Sequence, residues 1–212
     1  MPTKAVQPST RPRAPRDADA TRRGIIEAAF LEFYRNSFQA GSINDIITAA
    51  GITKGALFHH FATKQALGYT VLDELIGPLL ATRWLAPLEN TADPIADLQR
   101  TFRKYVKEDI DSGSFVHGCP LNNLAQEMSP LDDGFHSRID ELYDQWRKGF
   151  ATALAAGIKN GSVRKDVSPK AVASMLVAGQ MGIWGSGKSS RSKAIMMQAN
   201  EALCDYLGSM KA

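Results

Sequence analysis

Residues 51–64 read Gly51-Ile52-Thr53-Lys54-Gly55-Ala56-Leu57-Phe58-His59-His60-Phe61-Ala62-Thr63-Lys64. Gly51 suits the left-handed turn that ends a helix, and Thr53 can cap the helix that follows. Just upstream, Ile43, Ile46, Ile47 and Ala50 share the apolar face of a short helix. Its start, Ser42-Ile43-Asn44-Asp45, resembles a capping box with Asp in the place of Glu. Two short helices joined by a glycine turn form a helix-turn-helix, because that connection sets the second across the first. Ile46, Ile47, Ala50, Ile52 and Leu57 would pack the pair, leaving Thr53, Lys54, Gly55, Ala56 and His59 facing outward. Small residues at the start of the second helix let it approach the floor of a DNA major groove, where Ala can touch a thymine methyl. The helix N-terminus adds free N–H groups for a phosphate.

The charge distribution points the same way. The 212 residues carry 25 Lys/Arg and 22 Asp/Glu, a net charge of only +3. Residues 1–64 hold nine Lys/Arg against five Asp/Glu, and the remainder is slightly acidic. Arg11, Arg13, Arg16, Arg22 and Arg23 supply much of that surplus, so a polyanionic partner is expected at this end. Residues 1–18, rich in proline and arginine, are read as a flexible basic arm.

Outward from the motif the pattern stays helical. Ile25, Ile26, Ala29, Phe30 and Phe33 form one stripe of period 3.6. Thr63 can cap a fourth helix, with Leu67, Val71, Leu75 and Leu79 inward, bent or broken at Pro78 and Pro87. Further stripes are Ile95, Leu98, Phe102 and Tyr105, then Ile139, Leu142, Trp146, Phe150, Ala153 and Gly157. Asn160-Gly161-Ser162 is a turn, and Ser168-Pro169 opens the first of two last helices, at about 168–184 and 192–209. No segment alternates with period two. The expected fold is all-α, with about nine helices.

Composition narrows the function classes. Cys119 and Cys204 form no C-x-x-C pair, so neither a zinc site nor a disulfide framework is expected, and no metal or cofactor is expected. The longest uncharged stretch, residues 171–187, contains Ser, Gln and several glycines and is shorter than the ~20 apolar residues of a membrane span. With no secretory h-region at the N-terminus, a cytoplasmic location without membrane attachment is expected.

The stretch 51–64 closely resembles the signature of TetR-family transcriptional regulators. Thr21-Arg22-Arg23-Gly24-Ile25-Ile26-Glu27-Ala28-Ala29 and Ser42-Ile43-Asn44-Asp45-Ile46 are similar to that family's first two helices. The resemblance implies a DNA-binding domain over 19–66 and a ligand-binding and dimerisation domain over 67–212. It implies a homodimer on a palindromic double-stranded operator, released by a small-molecule effector. By position, Thr53, Lys54, Gly55, Ala56 and His59 would face bases or nearby backbone, while Ser42, Phe58, His60 and Lys64 would meet phosphates, and Arg22 joins this set. The family usually carries Tyr where this chain has Phe58. Phe lacks the hydroxyl that donates to a phosphate.

For the second domain the resemblance implies a pocket among the middle helices and a dimer face on the last two. Candidate pocket residues are Trp84, Phe102, Tyr105, Phe115, Cys119, Tyr143, Trp146 and Phe150; candidate interface residues are Met175, Gly179, Gly182 and Leu203. Gly118-Cys119-Pro120-Leu121-Asn122-Asn123-Leu124-Ala125-Gln126-Glu127 resembles a segment found in one subset of the family. Cys119 would start a helix there, where the dipole favours thiolate. It is read either as an electrophile- or redox-sensitive thiol or as an ordinary buried cysteine.

One motif competes. Gly182-Ile183-Trp184-Gly185-Ser186-Gly187-Lys188-Ser189 fits G-x-x-x-x-G-K-[ST], the pattern of a phosphate-binding loop. That reading needs a strand before the loop and a sheet around it, yet the flanks read as helix. A Gly/Ser loop between the last two helices is therefore expected. A small DNA-associated or nucleotide-dependent enzyme, built on Cys119 or on this loop, is the alternative function.

Overall fold

The computed structural model describes residues 18–212, so the basic arm and its Arg11, Arg13 and Arg16 lie outside the described residues. Among the described residues there is no β-strand, only an isolated antiparallel bridge between Val163 and Lys211. The helices are α1 (Ala18–Asn36), α2 (Ile43–Ala50), α3 (Lys54–His60), α4 (Lys64–Val71), α5 (Gly77–Leu80), α6 (Pro94–Ser112), α7 (Pro120–Met128), α8 (Asp133–Asn160), α9 (Pro169–Ser190) and α10 (Lys193–Gly208). With α4 and α5 taken as one interrupted rod, nine helices stand among the described residues, and the fold is all-α as expected.

Local signals account for most boundaries. Ser42, Thr53 and Thr63 each accept a backbone N–H three residues on, from Asp45, Ala56 and Ala66. Gly51 adopts φ 61°, ψ 41° and closes α2. The capping box is completed differently from the sequence expectation. The Ser42 N–H goes to Glu32 Oε1 of α1 at 2.9 Å, so α1 supplies the reciprocal acceptor.

Pro78 does not break its helix. The chain widens into π-turns at Leu72–Ile76 and Ala81–Leu85 on either side of α5, and ends in a 3-10 turn containing Pro87. Wide turns of this kind are frequent at functional sites, and the second one carries Arg83 and Trp84.

The expected loop at 185–191 is a correction. Gly182–Ser189 lies inside α9, which continues to Ser190. Its glycines have poor helix propensity, but packing overrides it. A side chain at buried Gly187 would meet Met196 Sδ of α10 at 3.0 Å and the Phe115 ring at 3.5 Å. Small residues here let neighbouring elements close on α9.

α1, α2 and α3 pack as a head around Ile25, Ile26, Ala29, Phe33, Ile46 and Leu57. Behind them α8 packs on α9, while α10 packs on α6 and α9. The core of this body is aromatic: Trp84 stacks on Trp146 at 5.3 Å, and Phe102 lies 6.0 Å from Phe150. Among the described residues no helix is long and apolar enough to cross a membrane.

Candidate nucleic-acid interface and adjoining cavity

Leu57 is fully buried and Phe61 nearly so, which fixes the rotation of α3. That rotation leaves Thr53, Lys54, Gly55, Phe58 and His59 exposed, with Ala56 and His60 half-buried. Phe58 is 42% exposed, a large apolar ring on a polar face. A Cβ built on Gly55 would meet only Thr53 Oγ1, at 3.9 Å. Gly55 is the second residue of α3, and no contact within the fold requires a glycine at this position.

Two expected phosphate contacts are engaged within the protein. Arg22 forms a two-pronged ion pair with Glu74 of the first π-turn, at 2.5 and 2.6 Å, and lies over the Phe61 ring. Lys64 donates to the Gln39 carbonyl at 3.1 Å and sits 5.0 Å from the Phe38 ring centre. Partial burial lowers its pKa, partly offset by Glu127 and Glu32. In this arrangement both cations tie the head to its surroundings. Sequence position gave their location but not the carboxylate and carbonyl that reach them.

Behind the head lies a cavity of about 170 Å³. Of the eight expected pocket residues, Trp84, Cys119 and Trp146 line it. The others do not. Phe102 and Phe150 are fully buried core, Phe115 packs on Gly187, Tyr105 lies against the Arg83 guanidinium at 4.3 Å, and Tyr143 stacks along Trp146. Periodicity identifies inward faces, but not the face left unfilled. Phe30, Tyr34, Arg83, Asp109, Gln180 and Trp184 are among the lining residues that were missed. A signal existed for two of them: Asp109 and Gln180 are polar residues set on otherwise apolar helical stripes.

The polar wall is specific. Arg83 pairs with Asp109 Oδ2 at 2.6 Å, and the Trp184 indole N–H donates to the same oxygen at 2.7 Å. Cys119 caps α7 without a side-chain hydrogen bond. Burial pushes its thiol pKa up, with only a partial opposing pull from the Leu121 and Asn122 N–H groups. Desolvation thus outweighs the helix terminus, which favours the ordinary buried cysteine of the two readings.

The cavity wall and the head share elements. Phe30 and Tyr34 belong to α1, and Tyr34 Oη donates to the Gly118 carbonyl at 2.7 Å. Gly118 holds φ 78°, a backbone conformation that favours glycine. One helix further, Glu127 of α7 accepts the N–H groups of Phe38 and Gln39 at 2.9 and 2.7 Å, gripping the turn between α1 and α2.

Residues 25–67 match the model for bacterial regulatory proteins of the tetR family, and residues 91–203 match the tetracyclin repressor-like C-terminal domain. The chain belongs to the tetR family. The "HTH-type transcriptional repressor DhaR" of Mycobacterium sp. (strain GP1) is 29% identical, over 76% of this chain and 79% of that protein. The "Transcriptional regulator AcuR" of Cereibacter sphaeroides is 26% identical, over 77% and 74%. Among solved structures, a TetR-family regulator from Cytophaga hutchinsonii superposes with a TM-score of 0.80 at 23% identity, over 92% of this chain and 96% of that one. This tetR-family chain is a DNA-binding transcriptional regulator and not an enzyme. The phosphate-loop pattern has no strand before it, and Lys188 donates to Asn123 Oδ1 at 3.0 Å.

The four expected interface residues divide in this tetR-family chain. Met175 is 54% exposed, and Gly182 is exposed on the same helix. Leu203 is buried, and its methyl groups lie 3.1–3.2 Å from where a Gly179 Cβ would stand. Gly179 and Leu203 therefore close the seam between α9 and α10 of one chain. Small-residue spacing alone does not distinguish that internal seam from an external face.

Proposed function

We propose that this protein is a cytoplasmic, homodimeric repressor whose α3 helices read a palindromic operator and are released by a small molecule bound in the cavity. On this reading residues 19–66 are the DNA-binding domain and 67–212 the effector and dimer domain, with the 1–18 arm adding phosphate contacts. The observation that carries it is the place of Phe30 and Tyr34: the helix that supports the reading head is also a wall of the cavity. A bound molecule shifts the head only if it prefers one placement of α1, and here α1 is within its reach.

Thr53, Lys54, Gly55, Ala56 and His59 form the groove-facing surface, with Ser42, Phe58 and His60 at its phosphate edges. Two such surfaces related by a two-fold axis would meet half-sites one helical turn, or a multiple of it, apart. Met175 and Gly182, with exposed Ala171 and Ala178 on α9 and Met197 and Tyr206 on α10, provide the apolar face for the second copy. A gel shift with the DNA upstream of its own gene tests the reading. Binding that weakens steeply with salt, as counterions are released, and further with Lys54→Ala, is expected. Wild-type affinity in the variant would overturn the assignment of α3.

A further inference from the structure

We propose that the cavity takes an uncharged, ring-sized molecule bearing a hydroxyl or carbonyl oxygen, an inference that rests on the cavity being the effector site. Size comes first. A protein cavity of about 150 Å³ accommodates benzene, so 170 Å³ holds a single ring with one small substituent. The walls suit a flat body, since Trp84, Trp146 and Trp184 all contribute.

Charge comes next. Arg83 and Asp109 already neutralise each other at 2.6 Å, with side chains 18% and 15% exposed. A carboxylate entering beside them would meet Asp109 in a poorly solvated wall, and a cation would meet Arg83. The pair leaves the site formally neutral and favours a neutral occupant.

Hydrogen bonding then favours an oxygen-bearing occupant over a hydrocarbon. Five buried side-chain atoms among the described residues lack a hydrogen-bond partner: Arg83 Nε, Trp146 Nε1, Gln180 Nε2, Gln180 Oε1 and Asn200 Oδ1. All but the last belong to residues that line this cavity. Gln180 is 1% exposed and Trp146 3% exposed, so bulk water does not serve them. Buried polar groups are normally paired. The set comprises three kinds of donor against one acceptor, which matches an oxygen that accepts and carries at most one hydrogen to donate back. A hydroxyl would meet both demands, accepting from the Gln180 amide and donating to Gln180 Oε1 once that buried side chain turns toward the occupant.

The three tryptophans of the chain all line the cavity, so indole emission from the free full-length protein reports occupancy directly. Phenol, toluene and butyrate serve as probes: the first two match in size and differ in the hydroxyl, and the third carries the carboxylate. Phenol is expected to bind on the order of tenfold or more tighter than toluene, with butyrate weakest. Gln180→Leu, which removes two of the unpartnered atoms, is expected to bring phenol down toward toluene. Toluene equal to or tighter than phenol, butyrate tightest, no quenching by any probe, or an unchanged preference in the variant would each overturn the proposal. The wild-type comparison requires no variant to fold. Because these titrations contain no DNA, loss of operator binding in a separate gel shift would count against the regulator reading alone.

Discussion

Tyr34 of α1 donates its hydroxyl hydrogen to the carbonyl of Gly118 at 2.7 Å. Burial raises its pKa, which favours the protonated hydroxyl that donates this bond. That bond joins the helix that supports the DNA-reading head to the loop that walls the cavity. Glu127 makes the next link, holding the turn after α1 through two N–H groups.

Glu127→Gln should loosen this second link. A neutral amide oxygen replaces a carboxylate that accepts two bonds, and hydrogen bonds to charged groups contribute about 1.5–3 kcal/mol. Unfolding free energy should fall by ~1–2 kcal/mol, and amide exchange at Phe38 and Gln39 should accelerate. Protection at those two amides equal to wild type would show that the turn is held by other contacts.

Gly55→Ala should separate folding from DNA binding. The added methyl enters open space, and Gly55 lies in the first turn, where the glycine penalty is smaller than in a helix interior, so stability should rise by at most ~0.5 kcal/mol. The same methyl stands on the outer face of α3, and operator affinity should fall. A variant that gains stability and binds DNA as tightly as wild type would refute a close approach at this position.

Phe58→Tyr should act in the opposite sense. The ring is 42% exposed, so a hydroxyl there is accommodated without burial, and it supplies a phosphate donor. One such bond contributes ~0.5–1.5 kcal/mol, a few-fold to tenfold gain in operator affinity measured by anisotropy. Unchanged or weaker affinity would place Phe58 away from the DNA backbone.

The thiols contribute to alkaline sensitivity. Burial holds Cys204 at about 11 and raises Cys119 as well. Their unfolded counterparts ionise near pH ~9, so above that pH the native state binds more protons than the unfolded one. Stability should therefore decline as pH rises from about 9 toward 11, and Cys204→Ala should flatten part of that decline in denaturant titrations. Identical slopes for the two proteins would exclude Cys204 as a contributor. At neutral pH both thiols should react slowly with a disulfide reagent.

The head was largely legible because its signals are local. A cap three residues before its N–H, a glycine in a left-handed turn and an apolar stripe of period 3.6 are all written within a few residues of one another. Gly51, Thr53 and Leu57 therefore fixed α2, the turn and α3 together. The extent of α9 was not legible, since Gly185 and Gly187 weaken a helix locally while contacts from Met196 and Phe115 favour its continuation.

By itself the sequence determined the all-helical class, the helix-turn-helix and the residues that α3 turns outward, because each follows from backbone preferences and the burial of one apolar face. Tertiary structure alone decided that Arg22 reaches Glu74, that Leu203 closes on Gly179, and that the cavity lies where Tyr34, Arg83, Asp109, Trp146 and Gln180 converge. Those residues lie on α1, the second π-turn, α6, α8 and α9. A cavity is the volume that five separately written faces fail to fill, and only their packing against one another defines it.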